Sequence, residues 1–442
     1  MSEIDYQGLR IEGVYKQNEA GQLMQRVKLA GGLISVQQAS ALAKLGQKYG
    51  HGTLHLSTRG SIEFHSLEYD HLPAVQRGMA AVGLFSRGAC GGAVRGISCS
   101  AGFGHGFNRT QVLARKLLLH FSGNPHFEGL PKKFKIAVEA DYQGSRHLIQ
   151  DLALVYVGES NENTYYDVWV GGGLGRAPQA AILYRRTVPE SEILWIAEAV
   201  VRVYRANVEP PKRLKSLIAT RGEQEFRRLL AAELVRTGAV PFRRDAFDKA
   251  LLPISANAAE LKLEVPIFCG ELKAERLETL AGIAAAAGIV YLQVTADQNL
   301  ALLPLDARQR QELARQLEQA GFAGIDRPQS VLRVCPGSHE CRMGLAATRT
   351  LAERLLQRYG ERLNGRSLAI SGCANSCAQP QLAEIGILAS RSVKGESDER
   401  TPRFDLYRRT TAGLGECVAE QLAEAELFGL LDAEFSGMAK AG

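Results

Sequence analysis

Cysteine is scarce in this chain. Eight cysteines in 442 residues are too few for a disulfide scaffold, and four of them fall in two tight pairs, which in a reducing compartment indicates metal or redox chemistry. The other four, Cys90, Cys99, Cys269 and Cys417, are scattered and read as small packing residues. Long apolar runs are also missing. The longest weakly polar stretch, Leu280 to Leu292, falls short of the roughly 18 residues that a bilayer-spanning helix needs, so no membrane span is expected. The opening residues MSEIDYQGLRIEG lack the apolar core of a secretory signal, and a cytoplasmic protein is expected. Basic residues outnumber acidic ones by 53 to 47, a net +6 that is not gathered into a tail, so neither nucleic acid nor a membrane surface is an expected partner. What remains, 45% hydrophobic and 23% charged residues, is an ordinary globular composition, about three typical domains in length.

The chain matches itself at a constant offset of 238. Val27 falls on Val265, Gly32 on Gly270, Leu42 on Leu280, Leu54 on Leu292, Leu56 on Val294, Phe64 on Leu302 and Gly83 on Gly321, with no gap. Each copy carries an apolar stretch and a Gly, a helix-period segment (Val36 to Leu45; Leu272 to Ile283), two alternating stretches around a polar turn, and a second helical segment. Strand, helix, strand, strand, helix is most of a ferredoxin-like half. The match continues: Arg95 falls on Arg333, and Tyr166-Asp167-Val168 on Phe404-Asp405-Leu406. The expected fold is therefore α+β with two pseudo-symmetric halves, whose ferredoxin-like half-domains pair into one domain, and each half carries a further α/β domain. A charged, helix-like connector, Lys212 to Arg244, follows Pro210-Pro211.

The halves differ in chemistry. Arg59 is replaced at the offset by Asp297, and the paired cysteines occur only in the second half, as Cys335-x5-Cys341 and Cys373-x3-Cys377. Four thiolates suit zinc or a 4Fe–4S cluster. The helix-like stretch from Arg342 to Arg362 between the pairs is unlike the short double knuckle of structural zinc, though spacing alone leaves both open.

The stretch Ile370-Ser-Gly-Cys-Ala-Asn-Ser-Cys-Ala-Gln379 resembles the S-G-C-P-N-S-C-[GA]-Q signature of the sirohaem-dependent sulfite and nitrite reductases. Five further segments are similar to that family's motifs and in its order: Ser57-Thr58-Arg59, Gly88 to Arg95, Leu130-Pro-Lys-Lys-Phe-Lys135, Val170-Gly-Gly-Gly-Leu-Gly-Arg176 and Thr295 to Leu300. The resemblance covers about residues 23 to 420. It implies a 4Fe–4S cluster on Cys335, Cys341, Cys373 and Cys377, with Cys377 also bridging to the sirohaem iron. It implies Arg59, Arg95, Lys133 and Lys135 as the catalytic cations around a bound oxyanion. It further implies cofactor contacts at Gly171, Gly172, Gly173, Gly175, Arg176, Asn375 and Gln379. Sirohaem bears many carboxylates and its substrate is an anion, so its surroundings must be basic. The 133/135 spacing agrees, since on a strand both ammoniums share a face.

The glycine run after Val168-Trp-Val170 does not fit a dinucleotide fingerprint, because Gly is absent at 174 and 176; a backbone wall against the macrocycle fits it better. His51, His55, His65, His105 and His126 read as structural or exposed, with His65 a candidate neighbour of the cofactor. Three positions depart from the family pattern: Gly60, Gly96 and Ala374. The implied organisation is an N-terminal extension (1–22), half-domain 1 (23–87), a sirohaem and anion domain (88–210), a connector (211–260), half-domain 2 (261–328), a cluster domain (329–434) and a tail (435–442). The implied reaction is six-electron reduction of sulfite, with nitrite as the alternative. No ferredoxin-type C-x2-C-x2-C run and no flavin or nicotinamide domain occurs, so a separate ferredoxin or flavoprotein donor is expected. A precorrin-3B synthase-like monooxygenase and an electron carrier without catalysis are the rival readings; the full cation set speaks against both.

Overall fold

A computed structural model describes residues 4–99, 106–160, 163–238, 261–325, 331–394, 400–410 and 412–438. In chain order, strands β1 (Val14–Lys16), β2 (Leu23–Arg26) and β3 (Leu33–Ser35) precede helix α1 (Val36–Tyr49), the hairpin β4 (Thr53–Leu56) and β5 (Ile62–Leu67), and α2 (Leu72–Ala81). Next come β6 (Ser98–Cys99), α3 (Phe107–Phe121), β7 (Ile136–Glu139), β8 (Leu152–Ser160), β9 (Asn163–Val170), β10 (Ile182–Pro189), α4 (Glu190–Asn207) and α5 (Leu214–Thr237). The second half repeats the plan with β11 (Leu263–Val265), β12 (Glu271–Lys273), α6 (Ala274–Ala286), β13 (Tyr291–Val294), β14 (Leu300–Leu302) and α7 (Ala307–Gln319). It ends with β15 (Val331–Val334), α8 (Thr348–Tyr359), β16 (Ser367–Ser371), β17 (Ile385–Lys394), β18 (Arg400–Arg408), β19 (Glu416–Leu422) and α9 (Glu424–Met438). No helix among the described residues is long and apolar enough to cross a membrane.

The 238 offset is written into the backbone. Adding it to β3 and β4 reproduces the bounds of β12 and β13. The strands are exchanged between halves: β3 pairs with β13 and β12 with β4, both antiparallel, and Leu33↔Gln293 is the offset image of Glu271↔His55. Two sheets result, in the orders β1-β2-β5-β4-β12 and β11-β14-β13-β3. Leu54, Leu56, Ile62 and Phe64 from one half share a single core with Leu263, Leu292, Val294 and Leu300 from the other, and α1 packs on α6. Local chemistry starts α1: Ser35 accepts from the Gln38 N–H while Gln38 reaches back to the Ser35 N–H, a capping box. Turns recur too. Gly60 and its image Gln298 have φ of 64° and 65°, and Gly31 and its image Cys269 have 58° and 53°.

The second layer of each half is a five-stranded mixed sheet. In the first half the order is β10-β9-β8-β7-β6, with β6, β7 and β8 parallel. In the second it is β15-β16-β17-β18-β19, with β15, β16 and β17 parallel, and the strands of each sheet beyond these are antiparallel. The chain forms two compact units: residues 174–178, 268–270 and 327–442 make the second, and the rest the first.

Three expected boundaries shift. Strand β1 lies within the stretch read as an extension and pairs with β2 from Val14↔Gln25 to Lys16↔Leu23. The connector is not a bridge over its described part: Leu214, Leu217, Phe226 and Leu230 of α5 are buried in the core of the first half's second layer, because this helix supplies the apolar face that covers α4. Its residues 239–260 lie outside those described, as do 326–330 at the next boundary. The tail begins later than expected, since Phe435 is buried with its ring 4.9 Å from that of Tyr359.

Candidate active site

The first unit assembles cations that its own carboxylates do not neutralise. Arg59 sits in the tight turn after β4, where Gly60 presses against Gly32; a Cβ on Gly60 would come 3.0 Å from the Val294 carbonyl and 3.2 Å from Gly32 Cα, so the glycine that departs from the family pattern is required by packing. The guanidinium of Arg59 donates to Gln150 Oε1 (2.9 Å), Gly96 O (2.9 Å) and Ile136 O (3.4 Å). All three acceptors are neutral. Burial, then the neighbouring Arg95 and Arg213, push its pKa down to about 9. Arg95 is buried beside the bridge between Val94 and Phe134, donates to Gly88 O at 3.4 Å, and burial lowers its pKa as well. Gly96, the second departure, lets Leu29 pass: a Cβ there would lie 2.9 Å from Leu29 O. Neither Arg59 nor Arg95 makes an ion pair among the described residues. A desolvated cation with no counter-charge is costly and is relieved by an anion, so these residues suit a polycarboxylate cofactor and an oxyanion.

Lys133 and Lys135 are half-buried on either side of the fully buried Phe134. They are not on a strand, as expected from their spacing; β7 begins at Ile136, and Phe134 makes only an isolated parallel bridge to Val94. The alternation survives because this segment is extended. The N–H of Lys135 donates to Asp151 Oδ2 (2.8 Å), which also takes Arg213 at 2.6 Å in a buried ion pair.

The glycine run divides. Gly172 is demanded by the backbone, since a Cβ there would lie 2.2 Å from Leu148 O, and Gly171 by its φ of 77°; at Gly173 a Cβ would meet the end of the Arg213 side chain, Nη1 at 2.5 Å. Gly175 differs: its φ is 110° and the nearest atom to a Cβ is Ala374 O at 3.9 Å. Arg176 and Asn375 are exposed, and Gln379 is buried with φ of 61°.

Sequence reasoning missed Arg26, Lys28, Arg213 and Lys215. Arg26 lies on β2, donates to Glu63 (2.7 Å) and Ala89 O (3.2 Å), and contacts Cys90 Sγ (3.5 Å). The signal was available: at the 238 offset Arg26 meets Glu264 and Lys28 meets Pro266, the same loss of positive charge that singles out Arg59. Lys215 donates to Gly173 O at 3.2 Å, and burial followed by Arg213 pushes its pKa down to about 8.

Beside Arg26, the buried His55, Glu63 and His65 put ligand-type atoms within 4.8 Å of one another. Gln298 donates to Leu56 O (2.9 Å), so its other contact, 3.4 Å to His55 Nε2, is also from its amide N–H. His55 Nδ1 lies 3.6 Å from Glu63 Oε2, and Glu63 also takes a 3.3 Å contact from His65 Nε2 and the Arg26 guanidinium at 2.7 Å. Burial pushes the Glu63 carboxyl up, but Arg26 and the two imidazoles overrule it and hold it well below the usual range. A carboxyl lowered in the folded state stabilises the fold above its unfolded pKa of about 4.3, and that contribution is lost as pH falls. Glu63→Gln should therefore cost about 3 kcal/mol at pH 7 by stranding Arg26, with the gap to the natural protein closing below about pH 4. Denaturant unfolding followed from pH 3 to 7 measures this; parallel curves would refute the ion-pair assignment. His51 is exposed, His126 is exposed in a short turn, and His105 lies outside the described residues.

In the second unit the cysteines follow from parallel pairing. Val334 pairs with Ile370, so Cys335 and the loop holding Cys373 and Cys377 leave the carboxyl ends of adjacent parallel strands, where open α/β sheets build sites. The Gly372 N–H donates to Cys335 Sγ at 3.1 Å. Cys341 is anchored by its N–H to Gly337 O (3.0 Å), and Cys377 is exposed. Burial, then the nearby Cys377, push the Cys335 thiol up to about 12. Four thiolates at the ends of these strands form a donor set that suits a 4Fe–4S cluster.

Against known proteins, the profile described as "Nitrite/Sulfite reductase ferredoxin-like half domain" matches residues 15–82, and "Nitrite and sulphite reductase 4Fe-4S domain" matches 90–237. Both profiles are those of the nitrite and sulfite reductase family, which this chain resembles over these two stretches. Among its relatives, the sulfite reductase (ferredoxin) 2 of Mycolicibacterium paratuberculosis is 28% identical over 400 residues, 86% of this chain and 72% of that one. The ferredoxin–nitrite reductase of Synechococcus elongatus is 29% identical over 400 residues, 85% and 77% of the two chains. The Mycobacterium tuberculosis NirA structure superposes with a TM-score of 0.79 at 24% identity, covering 96% of this chain and 84% of that one, which establishes the α+β fold of paired half-domains. The second profile match ends before the four cysteines, so their assignment rests on the sheet geometry and the 370–379 motif.

Proposed function

We propose that this chain reduces a small oxyanion by six electrons using sirohaem and a 4Fe–4S cluster, with sulfite as the first substrate and nitrite as the second. The observation that carries the reading is a pair of features on one chain: buried arginines without carboxylate partners in the first unit, and four thiolates around the carboxyl ends of parallel strands in the second. Cys335, Cys341, Cys373 and Cys377 would hold the cluster, and Cys377 would be the thiolate that also serves the sirohaem. Once bound, the two cofactors supply the electrons singly through to the anion. Arg59 and Arg95 fix the oxyanion and oppose its growing negative charge, because a guanidinium fork matches paired oxygens and stays charged. Lys133 and Lys135 present ammonium protons, and each oxygen leaves as water only after taking up protons. Gly175, Arg176, Asn375 and Gln379 lie on the loops that would line the cofactor. A separate ferredoxin-type donor supplies electrons, as the names of the relatives suggest; a flavoprotein is the second candidate. Eight cysteines, none in a disulfide, suit a cytoplasmic protein.

The purified protein should show tetrapyrrole bands, yield sirohaem on extraction, and carry iron and acid-labile sulfide. With reduced methyl viologen it should form sulfide from sulfite and ammonium from nitrite, with the higher kcat/KM for sulfite. Stoichiometric zinc, or a spectrum without tetrapyrrole bands, would overturn the assignment.

A further inference from the structure

We propose that Lys28 is a proton-loading residue of the anion site: it takes up a proton from solvent as the oxyanion binds and holds it beside Arg95 for the reduction. The inference deepens the reductase reading and rests on it.

Lys28 follows β2, two residues after Arg26, and is 3% exposed. Its N–H donates to Phe85 O at 2.8 Å, which lays the side chain along the 85–96 segment. The stem passes Gly96, whose Cβ position would lie 3.8 Å from Lys28 Cγ, and the ammonium ends at Gly88, where a Cβ would lie 2.8 Å from Nζ. Arg95 donates to the carbonyl of the same Gly88. Two cations thus converge on one glycine. Arg87 and Arg95 face the Lys28 ammonium with like charge, and Glu128 acts on it with opposite charge; the Glu128 carboxylate is already held by both arms of Arg87, at 2.9 and 2.7 Å. No hydrogen bond or ion pair joins the ammonium to a described residue. The surroundings therefore favour the neutral amine until an anion arrives. Burial, then Arg95, push its pKa down to about 7.

A bound anion reverses that balance, because an opposite charge favours the protonated form. An arginine could not act this way, since it keeps its proton throughout. The reaction gives the device a use: turning oxyanion oxygens into water consumes more protons than electrons, and an amine poised near neutrality both gives and regains a proton at low cost. The other lowered lysine, Lys215, has its pKa about a unit higher, at about 8, and is mostly charged already at pH 7.

The test is calorimetric titration of nitrite into the cofactor-loaded protein at pH 7, in buffers of different ionisation enthalpy, so that the heat counts protons. Loss of one lysine's half-occupied titration removes about half a proton per nitrite. The natural protein should take up that proton; Lys28→Met and Lys28→Arg should both lack it. Lys28→Arg should hold nitrite within a few-fold of the natural affinity, and Lys28→Met about ten-fold more weakly. The arginine variant keeps the charge, and so guards against loss of cofactor in the methionine one. Equal proton uptake in the natural protein and either variant overturns the proposal, as does nitrite binding by the natural protein without uptake. Absence of any nitrite-induced shift of the haem band would instead overturn the reductase reading, and this inference with it.

Discussion

Cys377→Ser is expected to empty the iron–sulfur site and reduce turnover to background, whereas Cys417→Ser should leave both untouched. The two residues are both exposed, so a difference between them cannot come from packing. Cys377 follows Ser376, whose φ of 53° turns the loop after β16, and it lies near enough to Cys335 to act on it electrostatically; Cys417 lies in the last strand of the same sheet, beside Tyr407 and 3.4 Å from Ala419 O. A hydroxyl is a poor substitute for a soft thiolate on iron, and a cluster missing one anchor is exposed to solvent and oxidant. Iron and acid-labile sulfide per chain, with the visible spectrum, provide the measurement. A full complement of both in Cys377→Ser would reject the ligand set.

Arg59→Ala should lower turnover of sulfite and nitrite by the order of 10²- to 10³-fold, the usual loss when one preorganised electrostatic donor is removed. The side chain is held in place by Gln150, Gly96 and Ile136, so little reorganisation is needed when the anion arrives. Its removal also relieves the charge repulsion that it exerts on Arg95 and Arg213, and the variant should be folded and no less stable. Cluster content should match that of the natural protein while anion affinity weakens. If sirohaem content falls in step with activity, Arg59 anchors a carboxylate of the cofactor and the oxyanion lies elsewhere; natural turnover would show that the cation group is not the reactive face.

The repeat made the half-domains readable because apolar periodicity reports burial, and Leu54, Leu56, Ile62 and Phe64 alternate with the polar residues that face away from the core. Strand exchange was not readable. The pattern of β3 is the same whether it completes its own half or the other, and only the register with β13 reveals the choice. Motifs located Arg59, Arg95 and the cysteines by residue type. They passed over Arg26 and Lys28 because a charge on or just after a short strand looks like solvated surface until neighbours such as Glu63 and Gly88 are seen. The Gly171–Gly173 run carries a second reason for glycine that the motif did not reveal: a Cβ on Gly172 would press on Leu148 O.

The strand exchange also has a consequence during synthesis. The edge of β4 that carries Thr53, Leu54 and His55 finds its partner only in Glu271–Lys273, more than two hundred residues later in the chain. A ribosome that has released the whole first half has therefore produced a sheet with an open, apolar-flanked edge, the kind of surface that invites pairing with a neighbouring nascent chain. The same geometry describes how such a chain could descend from two identical subunits that traded one strand each: fusing their genes would turn an encounter between molecules into one within a single polymer, at a far higher effective concentration. Once joined, the copies were free to lose symmetry: the first carries Arg26, Lys28 and Arg59, while the second has Glu264, Pro266 and Asp297 at those places and holds the four paired cysteines instead.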